Sequence, residues 1–179
     1  MSRFISFDIG FRNFAFSIID MIGKDQWNII HMANVDLLGE ENEFSDMFWL
    51  DFHNFLQTSG DWLSSCNVCL IEKQLGFRGK VNYKAIQMAS HLWAHILLDH
   101  PHETVLEYMS LNKTRVFGVS KPVYKERKLW AVGFVHDLLL EQGDFVALEW
   151  LKTFPKQDDI CDTILMILAY NKEKKKIVK

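Results

Sequence analysis

Residues 6–20 read SFDIGFRNFAFSIID. Two apolar runs rich in aromatic and β-branched residues flank a short break, and a carboxylate, Asp8, stands at the end of the first run. An ionised carboxylate left alone in an apolar layer costs several kcal/mol, so Asp8 has to be paired, protonated or bound to a metal. Residues 4–9 and 13–19 are predicted to form two strands, with Gly10 supplying the backbone freedom that a hairpin turn needs. Residues 27–35 add a third strand, giving an antiparallel meander.

Outward from this hairpin the pattern changes period. Phe44, Phe48, Phe52, Phe55 and Leu56 fall at helical spacing over residues 44–56, whereas NVCLIE, residues 67–72, is a short apolar run suited to a buried parallel strand. Gly76 and Gly79 break the chain before a helix over residues 83–99, whose Ile86, Ala89, Trp93, Ile96 and Leu97 are expected to turn inward. A fifth strand over 104–109 and helices over 123–140 and 158–170 follow. Three strands, then strands separated by helices, define an α/β domain with a five-stranded mixed sheet flanked by helices.

The chain has 179 residues, of which 49% are hydrophobic, enough for one core. We expect one domain over residues 1–171 and a basic C-terminal tail over 172–179. No run reaches the length of a membrane span and no targeting pattern opens the chain, so no membrane partner is expected and the protein reads as soluble and cytoplasmic. Cys66, Cys69 and Cys161 are too few for a disulfide framework and suit a reducing compartment.

The formal net charge of −3 argues against a nucleic-acid binder only if the charge is evenly spread. It is not. Residues 36–61 carry seven acids and no Lys or Arg, whereas residues 73–84 hold Lys73, Arg78, Lys80 and Lys84 without an acid. Residues 112–128 hold Lys113, Arg115, Lys121, Lys125, Arg127 and Lys128 against Glu126 alone.

Three further acids share the oddity of Asp8. Glu72 ends an apolar strand, and Asp159 and Asp162, three apart at the start of an apolar helix, lie on one face about 5–6 Å apart. Each has a plain explanation: a turn acid, a strand-end pair with Lys73, and favourable charges at a helix N-terminus, where Asp158 is an N-cap candidate. Taken together, an acid on the first strand, one at the end of the fourth and two on the last helix converge across a ribonuclease H-like sheet. Like charges so clustered raise one another's pKa unless a cation intervenes, and all-oxygen ligation favours Mg²⁺ or Mn²⁺.

FISFDIGFRNFAFSIID, LIEKQ, VLEYMSLNKTRVFGVSKPVYKERK and KQDDICDTILMILAY together resemble the RuvC-like Holliday junction resolvases, most closely the poxvirus-type branch. The resemblance implies that Asp8, Glu72, Asp159 and Asp162 hold two Mg²⁺ ions, for which Mn²⁺ can substitute, with Asp8 bridging. It further implies that Lys113 and Lys125 meet the scissile phosphate, that branched DNA is cut by paired nicks leaving 5′ phosphates, and that a homodimer does so. Phe77 is then placed to stack on unpaired bases, with Arg78, Lys80, Lys84, Lys121, Arg127 and Lys128 on the DNA backbone. The helix over 83–99, with Met88, Trp93 and Ile96, is the candidate dimer element. A large DNA virus replicating in the cytoplasm is the implied source, with a mitochondrial relative as the alternative.

Other functions use the same residues. A nuclease of RNA–DNA hybrids or flaps needs the same carboxylates, and a non-catalytic branched-DNA binder needs the same basic surface. An actin-like ATPase shares the D-x-G opening, but the chain is short for that duplicated fold. Cys66, Cys69, His91 and His95 have a superficial zinc spacing; free core thiols and surface imidazoles are the expectation instead. Trp62, Trp130 and Trp150 are expected in the core.

Overall fold

Asp8 closes the central strand of a five-stranded sheet. The computed structural model describes residues 2–23, 26–39, 45–74, 82–101, 104–119 and 123–177. Strands β1 (Ser2–Asp8), β2 (Phe14–Met21), β3 (Trp27–Val35), β4 (Val68–Glu72) and β5 (Thr104–Tyr108) are arranged in the order β3-β2-β1-β4-β5. β1, β2 and β3 pair antiparallel, while β4 runs parallel to β1 and β5 parallel to β4. The mixed sheet expected from the sequence is therefore present.

Side-chain alternation sends each strand's residues to two separate cores. Ile5, Phe7, Phe14, Phe16 and Ile18 meet α1 (Asp46–Thr58), α2 (Gly60–Ser64) and α3 (Tyr83–Asp99). Phe4, Ala15, Ile19, Val68 and Leu70 face the other way, toward α5 (Tyr124–Gln142), α6 (Phe145–Lys152) and α7 (Gln157–Ile177). Asp8 and Glu72 fall on this second parity. Because Phe7 pairs with Ile71, their successors Asp8 and Glu72 emerge side by side at the ends of adjacent parallel strands.

α7 is seated on that face by a buried polar chain. Ser6 Oγ donates to the Thr163 carbonyl at 2.6 Å, and Thr163 Oγ1 donates to the Ile160 carbonyl at 2.7 Å. The Thr163 hydroxyl has only one proton, so in the 2.6 Å contact between Ser17 Oγ and Thr163 Oγ1 it is Ser17 that donates. Every hydroxyl in this apolar layer thus has a partner, and Asp159 and Asp162 ride on the fixed turn.

Several expectations change. α2, α4 (Ser110–Val116) and α6 are short helices in segments where the sequence shows only turns or connections. The basic run from Lys172 begins inside α7, which continues to Ile177. Gly10 has no left-handed backbone; its requirement is space, since a Cβ there would meet the Asn13 carbonyl oxygen at 2.7 Å. Asp158 lies in the first turn of α7, where its carboxylate takes the Lys128 ammonium and does not serve as the N-cap. Lys73 pairs with Glu107 at 3.2 Å instead of with Glu72. Trp62 is partly exposed and packs against His31 at a tilt, ring centres 4.5 Å apart. On α3, Met88 and Ile96 are spent on the protomer's own core, leaving Leu97 and Leu98 exposed.

The edge of the hairpin holds one more pair. Arg3 donates from Nε and Nη2 to both oxygens of Asp20, at 2.7 and 2.8 Å. Asp20 is only 1% exposed, so this fork compensates an otherwise isolated buried charge.

Candidate active site

The two strand-end acids meet the first turns of α7 across a small cavity of about 130 Å³. Asp8, Glu72, Asp159 and Asp162 line it, together with Lys113 and Lys128. All four acids from β1, β4 and α7 are thus brought together.

Their charges are mutually unfavourable. Burial and then the neighbouring Glu72 push the Asp8 carboxyl well above the ordinary carboxylate range, with Asp162 and Asp159 adding to the effect. Asp8 and Glu72 end adjacent paired strands, an arrangement of like charges that a cation would relieve. Burial likewise raises Asp162, opposed by Lys113, and raises Asp159 with Asp158 contributing, opposed by Lys128.

Two ammonium groups answer part of that repulsion. Lys113, on α4 and 7% exposed, stands with its Nζ 2.6 Å from Asp162 Oδ2. Lys128, on α5, bonds Asp158 and lies 3.3 Å from Asp159 Oδ1. The Tyr124 side chain is beside it, with the ammonium 5.2 Å from the ring centre.

Lys125 does not line the cavity; it is exposed, one turn before Lys128. The lysine that reaches the acids from this helix is Lys128, for which the family resemblance implies contact with the DNA backbone. A signal for it exists. Ala131, Val135 and Leu139 form the buried stripe of α5, and following that stripe backward at helical spacing leads to Lys128 and Tyr124.

Arg127 lies at the cavity wall, and Lys84 is exposed in the first turn of α3 on the far side of the sheet. Phe77, Arg78, Lys80 and Lys121 lie outside the described residues. The acids Asp46, Asp51 and Asp61 sit on α1 and α2, across the sheet from Lys113 and Lys128.

Four crowded carboxylates are a hard, all-oxygen donor set of the kind that Mg²⁺ or Mn²⁺ takes. As the side chains stand, no three His, Cys, Asp or Glu groups among the described residues are placed around one ion. Lys113 and Lys128 instead neutralise Asp162, Asp158 and Asp159. The donor chemistry therefore fits a hard divalent cation, with the ammonium groups in competition for the same oxygens.

A chain with this sheet order and four acids at these positions has the fold of the RuvC-type Holliday junction resolvases. It is similar to the yeast mitochondrial Holliday junction resolvase Ydc2 with a TM-score of 0.71 and 16% identity, covering 97% of this chain and 81% of that one. The fowlpox virus Holliday junction resolvase superposes with a TM-score of 0.60 at 16% identity, covering 96% and 99% of the two chains. Thermus thermophilus RuvC, in complex with Holliday junction substrate, gives 0.66 at 12% identity over 98% and 96%. In sequence the chain is 26% identical to the uncharacterised protein 97L of Invertebrate iridescent virus 3, over 93% of this chain and 98% of that protein. No protein-family model matches the chain.

Proposed function

We propose that this protein is a structure-selective endonuclease that resolves four-way DNA junctions by paired symmetric nicks. The observation that carries the reading is the convergence of Asp8, Glu72, Asp159 and Asp162 with the Lys113 ammonium in one cavity. Buried like charges of this kind are destabilising, and a cation-dependent reaction at a phosphodiester gives a reason for them to be there. The likeness to resolvases, one of them solved on a junction, supports branched DNA as the substrate.

Asp8, Glu72, Asp159 and Asp162 would hold two Mg²⁺ ions or Mn²⁺, and the bound ions would supply an activated water and charge stabilisation at the phosphate. The chain's own groups do the rest. Asp8 and Glu72 are held by strand pairing, so the backbone positions from which their carboxylates project are fixed. Lys113, buried beside Asp162, would present a positive charge to the non-bridging phosphate oxygens as negative charge builds there. Lys128, tethered by Asp158 and Tyr124, would release Asp159 to the cation and stay on Asp158 within the cavity. The exposed Lys125 would take a backbone phosphate farther out, and Arg127 one at the cavity rim.

Two symmetric nicks require two such sites, and a homodimer would supply them. The exposed Leu97 and Leu98 on α3, with the half-buried Trp93, form a candidate surface for that contact. The products would be 5′ phosphates and 3′ hydroxyls, and the viral relative supports a role at viral DNA replication in the cytoplasm. No helix among the described residues is long and apolar enough to cross a membrane.

The test is cleavage of a labelled synthetic four-way junction in Mg²⁺, beside linear duplex and an RNA–DNA hybrid, by wild type and Asp8→Asn. Paired nicks on the junction alone, lost in Asp8→Asn while junction binding survives, are the expected result. Cutting of the hybrid alone would move the function to RNA, and binding without cutting by wild type would leave a branched-DNA binder.

A further inference from the structure

On the opposite face of the sheet, three imidazoles gather between α1 and α3. His91 and His95 are one turn apart on α3, the spacing at which two side chains share a helix face. His53, from α1, faces both, with ring centres 5.7 Å from His91 and 6.0 Å from His95. Two imidazoles on one zinc ion, with Zn–N near 2.0–2.1 Å, present ring centres about 5–6 Å apart.

His95 is the informative member. It is 5% exposed and lines an open cavity of about 400 Å³ with His53 and His91, yet neither of its ring nitrogens makes a hydrogen bond. Its Nδ1 is 3.0 Å from Asp99 Oδ2 but out of line with it, and that oxygen accepts from Gln57 Nε2 at 2.8 Å. A buried imidazole with both nitrogens unsatisfied is costly, and polar groups so placed usually serve something. The expectation of surface imidazoles fails here.

We propose that His53, His91 and His95 form a site for a transition-metal dication, Zn²⁺ being the probe of choice, that clamps α1 to α3. The rings now stand near perpendicular, at 83° and 86°, and no three donors among the described residues converge as they are. His53 and His91 are only half-buried, so rotation about their own side-chain bonds can close the set onto His95. Burial holds His91 and His95 below the ordinary imidazole value, which leaves both neutral and able to ligate at neutral pH. Asp99, already fixed by Gln57, would orient the His95 ring through Nδ1 and leave Nε2 for the metal.

Imidazoles select borderline ions and carboxylates select hard ones, so the two faces of the sheet would take different metals. The clamp is independent of the nuclease reading.

Thermal unfolding of the full chain in excess Zn²⁺, and separately in Mg²⁺, tests it, with bound zinc counted after equilibrium dialysis. Zn²⁺ should raise Tm by several degrees in wild type and in Asp8→Asn, with one ion bound per chain in Asp8→Asn, where the carboxylate site is disabled. His53→Ala and His91→Ala, on different helices, should each lose both the rise and the ion. The proposal is overturned if Zn²⁺ leaves Tm of Asp8→Asn unchanged, or if both histidine variants keep the ion.

Discussion

The Lys113 ammonium lies 2.6 Å from Asp162 Oδ2, joining a short helix after β5 to the first turns of α7. Removing the amine leaves a largely buried carboxylate unpaired, the costly half of such a contact. Lys113→Ala should push the Asp162 carboxyl still higher, which carboxyl NMR titration would read. It should also cut junction cleavage by about 10²–10³-fold, the loss typical of one electrostatic stabiliser. An unmoved Asp162 titration would show that the pair is not formed in solution.

Asp8 makes a prediction about stability against pH. Its carboxyl is raised in the folded chain, so without metal the fold binds a proton that the unfolded chain has released. The associated stability is full below the ordinary carboxylate pKa and is lost as pH rises through the higher folded value. Asp8→Asn removes this loss. In chelator its Tm should exceed that of wild type by a few degrees at neutral pH, with the gap closing as the solution is acidified. Its cleavage activity should nonetheless fall by at least about 100-fold, since a ligand is missing.

Lys125 and Lys128 separate binding from chemistry. Lys128→Ala should slow cleavage about tenfold or more while changing junction affinity little, because its ammonium engages Asp158 and Asp159 within the cavity. Lys125→Ala should weaken binding a few-fold on every DNA and reduce the salt dependence by about one counter-ion, with single-turnover cleavage retained. The opposite assignment of effects would restore Lys125 to the site.

The Ser6–Ser17–Thr163 chain predicts an asymmetry. Ser17→Ala removes a donor but leaves the Thr163 hydroxyl bonded to Ile160, so it should cost about 1 kcal/mol in urea unfolding. Thr163→Val strands the Ser17 hydroxyl in the apolar layer and should cost about 1–3 kcal/mol. Equal costs would mean that the proton order is different.

The Arg3–Asp20 fork gives a check remote from the cavity. Arg3→Ala leaves Asp20 buried and uncompensated, and should cost about 3–5 kcal/mol; Arg3→Ala with Asp20→Asn should recover part of it. Chemical denaturation measures both.

Local periodicity was enough for the sheet and for the acids. The apolar runs in residues 4–19 and the run ending at Glu72 are properties of a few consecutive residues, and the register of β1 on β4 then puts Asp8 and Glu72 on one face. The three-residue step from Asp159 to Asp162 aims both at that face in the same way. The structure had to decide what depends on how separate elements rotate against one another. Lys125 and Lys128 differ by about 4.5 Å along one helix, and only the packing of α5 on α7 selects Lys128. The seven-residue helix that buries Lys113 is too short to show a period, and Ser6, Ser17 and Thr163 are ordinary polar residues until α7 crosses the sheet. His95 falls on the core-facing stripe of α3, but that its nitrogens lack partners follows only from what α1 brings against it, because hydrogen-bond satisfaction is a property of the assembled layers and not of the chain.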